Sequence, residues 1–119
     1  MFDTPSSNDE ILQKVVQFED MLKGKSFTFF DVEDYENIVD YYIDVEMTSK
    51  AISALDFGLN QFPNDLTLSL IKVEVLNSKQ LFDDSYRLLK SLEQFYPNNI
   101  DILFNLGKIY SITNRIQTA

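Results

Sequence analysis

Two short stretches of this chain nearly repeat one another, QFPND at 61–65 and QFYPNN at 94–99. Their prolines, Pro63 and Pro97, stand 34 residues apart. A proline cannot donate to a helix, and it biases the residue before it out of the helical region. Each one therefore closes a helix, and the Asn or Asp that follows is suited to cap the next. A chain punctuated at a fixed interval lays down copies of one supersecondary unit. A lone helical hairpin cannot bury its own apolar face, so such copies must stack.

The segments between the punctuation have helical spacing. Gly and Pro number three each, which favours long helices. Residues 9–23 form an amphipathic helix with Gly24 near its end. Asp31 caps a second helix, with Asp34 completing a capping box and Phe30 stapled on Tyr35. Its apolar stripe is Tyr35, Ile38, Val39, Tyr42 and Ile43. Thr48 or Ser49 is expected to cap the next helix, which carries Ala51, Ile52, Leu55 and Leu59 and ends before Pro63. Asn64 or Asp65 then opens a helix that breaks at Ser78–Gln80. Another runs through Phe82, Tyr86, Leu89 and Leu92 to Pro97. Asn98 or Asn99 opens the last long helix, and residues 115–119 read as the start of one more. The run SFTFF, 26–30, alternates too briefly to make a sheet.

This helix–turn–helix unit resembles the tetratricopeptide repeat family. The matching positions in the first unit are Tyr35, Ile38, Val39, Tyr42, Ala51, Leu55, Gly58 and Pro63. In the second they are Ser69, Lys72, Val73, Leu76, Ser85, Leu89, Leu92 and Pro97. In the third, Leu103, Leu106, Gly107, Tyr110 and Ala119 match and include the family's L-G-x-x-Y run. Val39 and Val73 depart from a usual Gly, Lys72 from Leu, and Leu92 from Ala. The resemblance implies an all-α fold, a right-handed superhelical solenoid of helical hairpins. Repeats lie at about 32–65, 66–99 and, in part, 100–119, behind an N-terminal capping helix and linker in residues 1–30. Small residues at Ala51, Gly58, Ser85 and Gly107 are expected to let helices approach, and Tyr42, Leu76 and Tyr110 to fill the space between them. The third unit lacks its second helix, so the natural chain is expected to continue, or another molecule to cover the open end.

Composition narrows function. There is no Cys, His or Trp, so no disulfide, no thiolate or imidazole metal site and no histidine base. The 19 Asp+Glu against 10 Lys+Arg disfavour nucleic acid and anionic membrane as partners. No P-loop or calcium-loop spacing occurs. The expectation is a cytoplasmic non-enzyme with no cofactor and no metal.

Charge is concentrated in residues 31–46, which hold seven acids (Asp31, Glu33, Asp34, Glu36, Asp40, Asp44, Glu46) and no base. The first three of these favour a helix N-terminus. Glu36, Asp40 and Asp44 follow at i, i+4, i+8 and repel one another. In the family, the first helix of each unit lines the concave surface. The resemblance therefore implies a partner-binding face with Glu33, Glu36, Asp40 and Asp44 from the first unit, Leu70, Ile71 and Glu74 from the second, and Asp101, Phe104 and Lys108 from the third. A basic or neutral peptide suits it. A solvated acidic face without a ligand is the plainer reading. The family's chaperone-binding type clamps a carboxylate with cations, and Glu36, Asp40 and Asp101 at the corresponding places would repel one. The rival function is structural: self-association, or packing on another part of a larger chain, through the open C-terminal end.

Overall fold

A computed structural model of the protein describes residues 7–117. It comprises α1 (Ser7–Leu22), α2 (Val32–Asp44), α3 (Thr48–Gln61), α4 (Leu66–Ser78), α5 (Phe82–Phe95) and α6 (Ile100–Gln117), with no strand among the described residues. The chain divides into two compact units, Met1–Phe62 and Pro63–Ala119. In the first, α1 and α3 pack on α2; in the second, α4 and α6 pack on α5.

The 34-residue interval sets the helix boundaries as well as the prolines. Helices α2, α4 and α6 start at Val32, Leu66 and Ile100, and α3 and α5 start at Thr48 and Phe82. The caps recur in step. Asp31 accepts from the Asp34 N–H at 2.8 Å, Asp65 from Leu68 at 2.9 Å, and Asn99 from Ile102 at 3.1 Å. At the first of these, the Asp34 carboxylate also accepts from the Asp31 N–H at 3.1 Å, closing the capping box. The four described non-glycine residues with positive φ are also two pairs one interval apart: Glu46 and Gln80 (both 61°), and Asn64 and Asn98 (70° and 66°).

The short turns inside the hairpins have a common mechanism. After α2, the Met47 N–H donates to the Tyr42 carbonyl and Glu46 to Ile43. After α4, Leu81 donates to Leu76 and Gln80 to Asn77 in the same pattern. After α1, Lys25 donates to Asp20 and Gly24, at φ +75°, to Met21. All three are Schellman closures with a left-handed residue just past the helix. This geometry overturns the expected cap at Thr48 or Ser49. Met47 stands at the cap position without a side-chain bond, and Thr48 is already the first helical residue. The closure delivers the chain straight into the next helix and leaves no room for a capping turn.

The first unit has an aromatic core. The Phe18 ring on α1 lies edge-on to Tyr42 (6.3 Å between centroids) and Phe57 (5.5 Å), and tilted 6.4 Å from Phe30. Phe30 meets Tyr35 at 5.5 Å, the expected staple. Such pairs add about 0.5–1.5 kcal/mol beyond the area they bury. In the second unit Val73, Leu89, Leu92, Ile102, Leu106 and Ile109 form the buried cluster. Ser85 is fully buried there, and its hydroxyl donates to the Val73 carbonyl at 3.4 Å, so α4 and α5 meet closely at that point.

The third copy departs from expectation in three ways. No new helix begins at 115; α6 runs unbroken to Gln117, and residues 118–119, with the Ala119 match, lie outside the described residues. Asn114 is the equivalent of Glu46 and Gln80, yet its backbone is helical. Holding a residue in the left-handed region costs about 1–2 kcal/mol. In the hairpins a docked second helix offsets that cost. Gly107 does not mediate a close approach, since a Cβ there would meet no atom within 4 Å. Tyr110 fills the space between helices only in part: its ring lies edge-on to Tyr86 of α5 and the two hydroxyls are 3.3 Å apart, but it is 45% exposed.

Candidate functional site

Helix α2 buries Tyr35, Ile38, Val39 and Tyr42. The complementary side presents Glu33, Asp40 and Asp44 to solvent, with Glu36 half-buried. Asp31 and Asp34 are engaged by the capping box. The acidic stripe is therefore real on its own helix, and its two ends differ. At the N-terminal end α1 supplies a cation: Lys14 Nζ lies 3.6 Å from Asp34 and 5.9 Å from the centroid of the Phe30 ring. Glu10, Ile11 and Lys14 of α1 face Glu33, Asp34 and Asn37 of α2 across an open groove of about 400 Å³. Residue spacing alone does not find this wall, because it depends on how α1 docks.

At the C-terminal end no Lys or Arg lies on α2, and the repulsion shows. Partial desolvation, and then the neighbouring Asp44 charge, push the Asp40 carboxyl above the usual aspartate range. On the other side of α2, Tyr42 donates its hydroxyl to Glu19 at 2.8 Å, and Lys50 bonds the same carboxylate at 3.0 Å. The Lys50 bond first, then Tyr42, hold Glu19 below the usual glutamate range. This triad ties α1, α2 and α3 together and was not expected from the sequence.

In the second unit Leu70 is half-buried against the apolar cluster, while Glu74 is exposed. Asp101, Phe104 and Lys108 are exposed on α6, with Phe104 64% accessible and Lys108 Nζ 5.3 Å from the centroid of its ring. These candidates occupy equivalent places in the 34-residue register: Glu36, Leu70 and Phe104 form one series, and Asp40, Glu74 and Lys108 another. Among the described residues no three acidic side chains converge to hold a metal ion, and no helix is long and apolar enough to cross a membrane. Compared with family models, curated proteins and solved structures, the chain has no significant match.

Proposed function

We propose that the protein is a tetratricopeptide-like module for protein–protein recognition, in which α1 caps stacked hairpins and the acidic stripe of α2 receives a basic segment. The recurrence of boundaries, caps and left-handed residues at 34-residue steps supports the repeat reading. The observation that carries the function is the Asp40–Asp44 pair, exposed on a helix without a cation and unfavourable until a positive charge arrives. A long-range field of this sign also speeds the encounter with cations. The test is titration of a labelled Lys/Arg-rich peptide at low and high salt. Binding is expected at low salt, falling steeply as screening shortens the field to about 10 Å at 0.1 M. It should disappear in Glu36→Gln/Asp40→Asn/Asp44→Asn. Equal binding by that triple variant would overturn the reading. A second function, self-association through the C-terminal end, is favoured by one observation: α6 leaves Ile100, Leu103, Phe104 and Tyr110 exposed.

A further inference from the structure

We propose that the connector between α1 and α2 pairs antiparallel with the same connector of a second copy of this chain, as a short two-stranded ladder with its two-fold axis at Thr28. This surface is neither the acidic stripe nor the open face of α6, and the proposal goes beyond both readings given above.

The backbone identifies the segment. After the closure at Gly24 and Lys25, residues 26–31 run to the cap of α2 without a turn or a bend. Among the described residues, no main-chain N–H or C=O of 26–30 makes a hydrogen bond. The side chains alternate as on a strand. Phe27 is 75% and Phe29 69% exposed, while Thr28 is half-buried and Phe30 fully buried. A run with free main-chain groups and a row of outward aromatics is a template for another strand. The usual guards against such pairing, a charge or a proline within the run, are missing from SFTFF.

Charge selects the occupant. Residues 1–62 hold four Lys and no Arg. Lys14 and Lys50 are paired with Asp34 and Glu19. Lys23 and Lys25 are exposed, and among the described residues neither forms an ion pair. They stand at one end of the segment; Asp31 and Glu33, also exposed, stand at the other. Around an axis at Thr28, Lys25 of each copy comes opposite Asp31 of the other, and Phe27 opposite Phe29. Opposed residues share a face of the ladder, so the four outward rings gather into one cluster. Lys23 and Glu33 follow just beyond the ladder and add to the same attraction at each end. A parallel pair would instead set Lys25 against Lys25 and Asp31 against Asp31.

The segment is short, and a net charge of −9 on each copy opposes association. A dissociation constant on the order of 100 μM in 0.15 M NaCl is therefore expected. The test is sedimentation equilibrium of the whole chain from about 10 μM to about 1 mM. Wild type should fit a monomer–dimer equilibrium. Lys25→Glu should weaken it about tenfold, and Phe27→Ser/Phe29→Ser should leave a monomer throughout. All three are exposed positions, so circular dichroism of the dilute variants should match wild type. Hydrogen exchange reads the ladder itself: amides of residues 26–30 should slow as concentration rises. The chain has no cysteine, so engineered thiols report the register. Phe27→Cys mixed with Phe29→Cys should cross-link across the pair, while either alone should link to itself poorly. A monomer up to 1 mM would overturn the proposal. A dimer that survives Phe27→Ser/Phe29→Ser would overturn it too, while leaving self-association through α6 standing. A dimer without protection at 26–30, or one in which Phe27→Cys links to itself as readily as to Phe29→Cys, would overturn the ladder.

Discussion

Tyr35 and Tyr42 sit seven residues apart on α2, and both are fully buried, yet their hydroxyls have opposite fates. Tyr42 donates to Glu19, whereas the Tyr35 hydroxyl has no hydrogen-bond partner among the described residues. A buried hydroxyl left unpaired costs about 1–3 kcal/mol. Tyr35→Phe is therefore expected to stabilise the protein by about 1 kcal/mol, and Tyr42→Phe to destabilise it by a similar amount, measured by urea denaturation. The two acids that flank this core differ in sign as well. Glu19 has a lowered folded pKa, so it contributes stability above the ordinary glutamate pKa, and that contribution is lost as pH falls through the folded value. Asp40 has a raised folded pKa, so its penalty grows as pH rises from the ordinary aspartate pKa through the folded value, and is complete above it. At pH 7, Glu19→Gln should lower the melting temperature and Asp40→Asn should raise it. Both differences should vanish in acid. A loss from Asp40→Asn at neutral pH would contradict the repulsion assigned to Asp44.

The elements are joined by two kinds of punctuation, and only one was visible before the structure. Pro63 and Pro97, with Asp65 and Asn99 behind them, announce the turns between hairpins through residue types that do nothing else as well. The turns within hairpins use Glu46 and Gln80, which carry no such mark. Their left-handed backbone is imposed by the helices that meet there, so the residues could not reveal it. Gly24 fills the same role after α1 without a Cβ penalty. Glu46→Gly and Gln80→Gly should accordingly each stabilise by about 0.5–1 kcal/mol, whereas Asp65→Ala should cost about 1 kcal/mol through its lost cap. Thermal denaturation of the three variants checks both signs together. The same reasoning explains the misread end of α6. The repeat pattern predicts a turn near Asn114, whereas the backbone there is helical, because nothing in the residue type fixes a turn of this kind.

At the scale of the molecule, the net charge of −9 belongs wholly to residues 1–62, and residues 63–119 are balanced. The acidic stripe itself was readable as spacing; the cation that Lys14 brings to one end of it was not, because that required α1 to be docked. The asymmetry has a consequence that does not depend on any partner. Like charges crowded on a folded surface repel, and dilution of the same charges in the unfolded chain relieves them. Screening should relieve them too, with the Debye length falling from about 30 Å at 0.01 M salt to about 3 Å at 1 M. The melting temperature should therefore rise from low to moderate NaCl. The rise should shrink in Glu33→Gln/Asp40→Asn/Asp44→Asn, while a triple neutralisation of Glu74, Asp83 and Glu93 in the balanced half should leave it nearly intact. Scanning calorimetry of both variants at several salt concentrations reads this directly. If the two triples lose the same salt response, the repulsion is spread over the whole chain. The stripe on α2 would then hold no special excess of unfavourable charge for a basic partner to relieve.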